Sequence, residues 1–426
     1  MLVNEETGVI TYLEELPRQY DMPDFIYYKG EIANTGIFGL KENRPTSGGT
    51  SLDRDRAMAK AVGEALERYS SAIYFKEDLK LSSYRDLPIP ALHPGAFVYH
   101  TDEQITHRDF PLDPFDEGTC VRWVNAVHYA EGADILVPAA FVYCPYTPDT
   151  EHGEANIAES ISTGIAAHCS FEEAAINAIL EAVERDSFMI HWLARIACPV
   201  IRPDSLTSLH REMLRRFAAF GYEVNILHAT LDAGVPTVFC TMHGQWQGSV
   251  PLIVSSATHQ DPVDAITKCL EELALMERLC KRVMLSMDKG PVSGDDQQVT
   301  KLIDHLKFWL EPDIIPQADF LVSKSETVSL SELESLLTTD PPADLGNLVD
   351  RIESTGNSVY LCDLTSSDIR DLGISVVRAV IPGYVPLNVD DRCRPEGSAR
   401  LRQFMNSRRN GNNLISGINP LPHPFA

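Results

Sequence analysis

Two short stretches of this chain repeat each other, and that repeat limits what it can build more than any other feature. One runs Asn177-Ala-Ile-Leu-Glu181-Ala-Val-Glu184-Arg185-Asp186 and the other Gly63-Glu64-Ala-Leu-Glu67-Arg68. In each, two glutamates stand three apart, so on a helix they share one face about a turn from each other. Asn177 lies four residues before Glu181 on the same face, and the alanines Ala174 and Ala178 leave room for something to approach. A lone Glu-x-x-Glu-Arg is common on solvated helix faces, where Glu181 and Arg185 would form a weak ion pair. Two copies, each in an alanine-rich stretch behind a small polar loop, favour helices that face each other and enclose hard cations.

Charge narrows the ligand. Lys and Arg number 36 against 61 Asp and Glu, a net charge of −25, so no basic face is available for nucleic acid. Nucleotides stay open, because their phosphates are held through a metal ion. Clustered carboxylates persist in so acidic a chain only where cations or arginines answer them. Oxygen-only ligands point to magnesium, which takes a few carboxylates plus substrate phosphates. Zinc would want His or Cys at ligand spacing, and that is missing. Nine scattered cysteines without a C-x-x-C spacing predict reduced thiols in a cytoplasm. No run nears the ~20 apolar residues of a membrane span, and no basic segment followed by an apolar run marks a signal peptide.

Taken in order, residues 1–45 read as a lead-in with strand-like patches such as Asp24-Phe-Ile-Tyr-Tyr. Thr46-Ser-Gly-Gly-Thr-Ser-Leu reads as a flexible polar loop, then Asp53 caps a helix that runs to about Tyr74. That order places backbone N–H groups at a helix start, which suits a phosphate. The scheme returns as a loop from Ser160 to Cys169, a Ser170-Phe-Glu-Glu capping signature and a helix to about Leu193. Ile176, Leu180, Val183 and Ile190 mark its buried stripe. A third version follows strand-like Val250-Pro-Leu-Ile-Val: Asp261 caps, Pro262 opens, and the helix carries Lys268, Glu271, Glu272, Glu277 and Arg278. Three such units predict a layered α+β domain around a shared central site.

Elsewhere, helices are expected at 205–220, 330–337 and 345–355, strands within 222–242 and near 358 and 375, and a surface loop at 286–300. Beyond Pro382 the chain reads as irregular and basic in patches. Its last stretch, Asn419-Pro-Leu-Pro-His-Pro-Phe-Ala426, is held extended by its prolines. No G-x-S-x-G, G-x-x-x-x-G-K or G-x-G-x-x-G occurs, so any ATP site is an unfamiliar one. Arg68 and Arg185 either fork onto phosphate oxygens or pair with nearby glutamates. Lys60 is a phosphate candidate one turn before Glu64, and Arg378 reads as structural. His168 and Cys169 are adjacent and point different ways, so packing is the simpler reading than a nucleophile pair.

These residues resemble the YcaO family. The blocks that carry the resemblance are Ala59-Lys-Ala-Val-Gly-Glu-Ala-Leu-Glu-Arg-Tyr-Ser70, Ser162-Thr-Gly-Ile-Ala-Ala with Glu181-Ala-Val-Glu-Arg-Asp186, His259-Gln-Asp-Pro-Val-Asp-Ala, and Val377-Arg-Ala-Val-Ile-Pro-Gly. The resemblance implies the family's α+β fold, with loop-plus-helix units on mainly antiparallel sheets around a composite ATP and Mg2+ site. It implies an ATP-binding catalytic domain over 46–401 and an extended proline-rich tail over 402–426. It implies that Glu64, Glu67, Glu181 and Glu184 hold magnesium, with Lys60, Arg68, Asn177, Arg185 and Glu272 around the nucleotide. Relatives often carry serine at the place of Lys60 and glutamine near Leu275.

The ending is similar to that of azoline-forming cyclodehydratases of thiazole/oxazole-modified peptide pathways, whose terminal residues reach the active site. The resemblance therefore gives Pro424, Ala426 and Arg185 catalytic roles, with Ala426 where the usual last residue is proline. A thiol or hydroxyl of a ribosomal precursor peptide would attack the preceding amide, whose oxygen ATP phosphorylates. Expected partners are the precursor peptide and a separate protein, similar to ubiquitin-activating enzymes, that carries the leader-peptide-binding domain. Nucleic acid and membrane are not expected, and a homodimer stays open. The rivals are a relative that makes thioamides from sulfide and an ATP-binding accessory protein without turnover.

Overall fold

The computed structural model describes residues 2–37, 43–246, 248–286, 299–338, 340–409 and 417–425. Its strands form three sheets among the described residues. β1 (Ile10–Glu15), β2 (Ile26–Ile32) and β3 (Thr46–Ser51) pair antiparallel in that order. β4 (Lys80–Ser83), β5 (Cys120–His128), β6 (Ala133–Pro138), β7 (Ile165–His168), β13 (Tyr360–Asp363) and β14 (Ser375–Val380) make a second sheet, ordered β4-β5-β13-β14-β7 with β6 on β5. The third is β11 (Leu252–Thr258), β10 (Thr237–Gly244), β9 (Tyr222–His228), β8 (Cys198–Ile201) and β12 (Val322–Val328), where β12 runs parallel to β8. The other pairings are antiparallel, as an α+β chain with mainly antiparallel sheets requires.

The helices are α1 (Arg54–Ser70), α2 (Asp102–Thr106), α3 (Phe171–Leu193), α4 (Ser208–Ala218), α5 (Pro262–Ser286), α6 (Leu302–Phe308), α7 (Pro341–Glu353), α8 (Ser367–Arg370) and α9 (Ala399–Arg409). Asp53 caps α1 by accepting from the Arg56 N–H, and Ser170 caps α3 by accepting from the Glu173 N–H. Pro262 opens α5, while the Asp261 side chain accepts from the Val263 N–H. Among the described residues no helix is long and apolar enough to cross a membrane.

Small side chains set how closely helix and strand approach. α1 buries Ala57, Ala61 and Ala65, and a Cβ on Gly49 of β3 would stand 2.0 Å from the Ala57 carbonyl oxygen. Thr46–Ser51 is therefore a strand and not the flexible loop expected: its glycines are there to admit the helix. Likewise the expected loop from Ser160 to Cys169 contains β7. Ala174 and Ala178 are fully buried beside Val377 and Ala379 of β14, so the room they leave is taken by the sheet. From Asp186 to Leu193 α3 is buried on all sides, and its polar members Asp186, Ser187 and His191 are hydrogen-bonded there.

Three further expectations change. The helix expected over 330–337 is one short turn, Leu330–Glu332. The region beyond Pro382, expected to be irregular, contains α9, whose Arg400 is buried and grips two carboxylates. It meets both oxygens of Asp186 at 2.9–3.0 Å and Asp232 at 2.6 Å. Asp186, the last residue of the repeated block, is thus a structural anchor. Most of the loop expected at 286–300 lies outside the described residues.

Candidate functional site

The three strand–helix units close into a ring. α1 packs on its own β3 and reaches β7; α3 packs on β7 and reaches β11; α5 packs on β11 and reaches β3. The glutamates follow the same rule. Glu64 accepts from the Gly48 N–H of β3 at 2.7 Å, and Glu67, a turn later, from the Ala167 N–H of β7 at 3.0 Å. Glu181 accepts from the Gly164 N–H just before β7 at 2.9 Å, and Glu184 from β11, through Ser256 Oγ at 2.7 Å and the Thr258 N–H at 3.2 Å. The first glutamate of each pair binds its own unit and the second binds the next. Glu-x-x-Glu is thus the spacing that lets one helix face hold two neighbouring strands, and it brings all four carboxylates to the middle.

There they crowd one another. The Glu67 carboxyl is pushed up to about 8, by removal from bulk water and then by the facing charge of Glu181. Glu181 is raised by burial and by Glu184, against the pull of Arg185. Glu272 of α5 is raised by burial and feels Lys60, Glu64, Arg185 and Glu184 together, which places it in the same cluster. Arg185 binds Glu181 at 3.3 Å and also pairs closely with Glu184. Arg68 donates through Nε to Glu64 at 3.0 Å. Both arginines therefore pair with glutamates, one of the two alternatives their positions left open.

Lys60 forms its ion pair with Glu271, at 2.6 Å, and is also the leading opposite charge on Glu272. Glu271 also takes the hydroxyl of Ser51 at 2.6 Å and Arg56 at 3.3 Å, so this buried carboxylate is fully answered. Asn177 lies on the same side of α3 as Glu181, half-buried, with no side-chain hydrogen bond among the described residues. Two cations that the sequence reading named without a site role stand out in the structure. Lys268 of α5 has its ammonium pulled down by burial and then by Lys60, and it has no ion pair among the described residues. Arg378 of β14 is 6% exposed and donates to the Ile161 carbonyl at 3.0 Å; it makes no direct ion pair among the described residues, and Glu181 is the carboxylate whose charge it feels. For Arg378 the signal was a cation inside an otherwise apolar strand; on the charged α5 nothing local set Lys268 apart.

The described end of the chain, Gly417–Phe425, runs without helix or strand along the buried half of α3. The indole N–H groups of Trp192 and Trp309 donate to the carbonyls of Leu421 and Pro422 at 3.1 and 2.9 Å. His423 stacks on His305 with ring centres 3.8 Å apart. Pro424 is buried, and the Arg185 guanidinium lies 4.3 Å above the ring of Phe425. Ala426 lies outside the described residues.

The donor set suits magnesium with nucleotide phosphates. Among the described residues no group of three or more His, Cys, Asp or Glu side chains is placed to hold a metal ion by itself. The raised carboxyls of Glu67, Glu181 and Glu272 are what a hard cation would relieve. A family model described as YcaO cyclodehydratase, ATP- and Mg2+-binding, matches residues 48–385. The chain belongs to the YcaO family. Its cofactors are accordingly ATP and Mg2+.

Solved structures share the fold. A heterocyclase in complex with substrate and cofactor superposes with a TM-score of 0.77 at 22% identity, over 100% of this chain and 56% of that one. The chain thus spans little more than half the length of that heterocyclase. YcaO from Methanopyrus kandleri, bound with AMPPCP and Mg2+, gives 0.65 at 19% identity over 90% of this chain and 88% of that one. The E. coli microcin synthetase McbBCD complex with pro-MccB17 bound gives 0.65 at 15% identity over 99% and 98%.

Proposed function

We propose that this chain is an ATP-dependent cyclodehydratase that converts Cys, and Ser or Thr where the peptide offers them, into thiazoline or oxazoline in a ribosomal precursor peptide. One observation carries the reading: the docked C-terminal segment ends against Arg185, the same arginine that binds Glu181 and Glu184.

In this reading Glu64, Glu67, Glu181 and Glu184 hold magnesium, and Lys60, Arg68, Asn177, Arg185, Glu272 and Lys268 surround the nucleotide. Bound Mg2+ supplies charge neutralisation at the transferring phosphoryl group. The backbone N–H groups of β3, β7 and β11 fix the carboxylates beforehand, so little reorganisation is needed at reaction. The peptide thiol or hydroxyl adds to the preceding carbonyl, whose oxygen takes the γ-phosphoryl of ATP and leaves as phosphate. The N–H and S–H or O–H protons are lost, and a carboxylate near Arg185 and the tail (Phe425, Pro424 and Ala426 in sequence) receives them. Nine free thiols support a reducing, cytoplasmic setting. The peptide and a separate ubiquitin-activating-enzyme-like protein that presents it are the partners of this reading; in the E. coli complex above, a synthetase has pro-MccB17 bound.

The test is to incubate the chain with ATP, Mg2+, a precursor peptide and its partner protein, and to weigh the peptide. Loss of one water per modified residue is expected. Exchange of oxygen for sulfur would replace the reading with thioamide synthesis, and nucleotide binding with no mass change would leave an accessory role.

A further inference from the structure

Beside Arg185 lies a cavity of about 850 Å³, open solvent at its mouth included. Its wall is mostly hydrocarbon and aromatic, from Phe97, Phe141, Ile157, Val380 and Leu387. Arg185 and Arg378 are its cations. The Nε of Arg378 is buried and has no hydrogen-bond partner, a cost the fold carries unless a ligand supplies an acceptor. Of the other polar side chains in the wall, the Tyr384 hydroxyl is likewise buried without a hydrogen-bond partner, while Glu159 and His100 are engaged. Glu159 accepts from the Val389 and Asp390 N–H groups at 3.1 and 2.7 Å, and His100 meets the Cys393 carbonyl at 3.1 Å.

We propose that this cavity seats the side chain of the peptide residue just before the one that cyclises, and that its ligand is an apolar, above all aromatic, group. The assignment rests on the cyclodehydratase reading. The attacked carbonyl belongs to that preceding residue, so its side chain sits one carbon from the reacting centre. With the carbonyl beside Arg185, the side chain enters the cavity, and the unpaired N–H of Arg378 meets a peptide oxygen.

The test is a ligand-observed NMR titration of the chain, with Mg2+ and a non-hydrolysable ATP analogue, against N-acetyl-Phe-Cys-amide and N-acetyl-Gly-Cys-amide. The Phe probe should bind about tenfold tighter or more, as burial of a benzyl group predicts. Ala158→Trp, and the milder Ala140→Leu should the first not fold, narrow the cavity; each should erase that preference and leave nucleotide affinity unchanged. Equal binding of the two probes overturns the proposal. So does a variant that weakens the nucleotide and spares the Phe probe, which would make the cavity an adenine site. Selective binding of the Phe probe with no peptide ever losing water would sink the cyclodehydratase reading and leave the pocket standing.

Discussion

α3 and α5 are built alike and treat their acids differently. Each is a long helix behind a strand, with an acidic face turned to the centre of the ring. On α5, Glu271 is met by Lys60, Arg56 and the Ser51 hydroxyl. On α3, Glu181 and Glu184 are oriented by strand N–H groups and share a single arginine. A carboxylate matched by its own cations is finished and serves the fold. Carboxylates held by neutral donors and crowded by one another still call for positive charge, and that is the state a catalytic metal site needs before its ligand arrives.

The contrast can be broken by substitution. Glu184→Gln keeps the shape and removes the charge, so ATP turnover should fall about 100- to 1,000-fold with unchanged thermal stability; an unfolded or fully active variant would place Glu184 with Glu271. Conversely, Glu271→Gln should cost about 2–3 kcal/mol of stability, read as a lower denaturant midpoint, because it strands Lys60 and Arg56. If it instead spares stability and abolishes turnover, the two helices have exchanged roles.

Phe425→Ala tests whether the tail belongs with α3's acids. Losing the ring over Arg185 and its contact with Phe188 should slow turnover about tenfold while nucleotide affinity holds. The smallest effect concerns pH. Folded Glu67 titrates near 8 against an ordinary value of 4.5, so between those values the folded chain holds more protons than the unfolded one. Stability without metal is then full below 4.5 and declines as pH rises to about 8. The melting temperature should drop by a few degrees over that window, and Mg2+ with ATP should restore it most at the upper end. A flat profile would remove Glu67 from the crowded cluster.

What the residues disclosed by themselves follows the same division. The repeated Glu-x-x-Glu-Arg blocks and the helices that carry them were legible, because helical periodicity and capping are local. β3 was not, since Thr-Ser-Gly-Gly-Thr-Ser has no apolar alternation; its glycines make sense only once α1 lies against them. Nor did Lys60 disclose that its nearest acid stands 211 residues away in Glu271. Lys268 and Arg378 gained meaning only when burial showed which cations made no direct ion pair among the described residues. The cavity was invisible because its wall is drawn from segments between Phe97 and Cys393.

The docked tail also has a consequence for how the molecule is made. Trp192 waits for the carbonyl of Leu421, 229 residues further on. During synthesis the apolar half of α3 emerges well before the segment that lies against Trp192, so a ribosome-bound chain holds that edge uncovered even after the strands have packed on the rest. Such an intermediate is prone to aggregate, and residues 417–425 become the step that closes the core and completes the surroundings of Arg185 together.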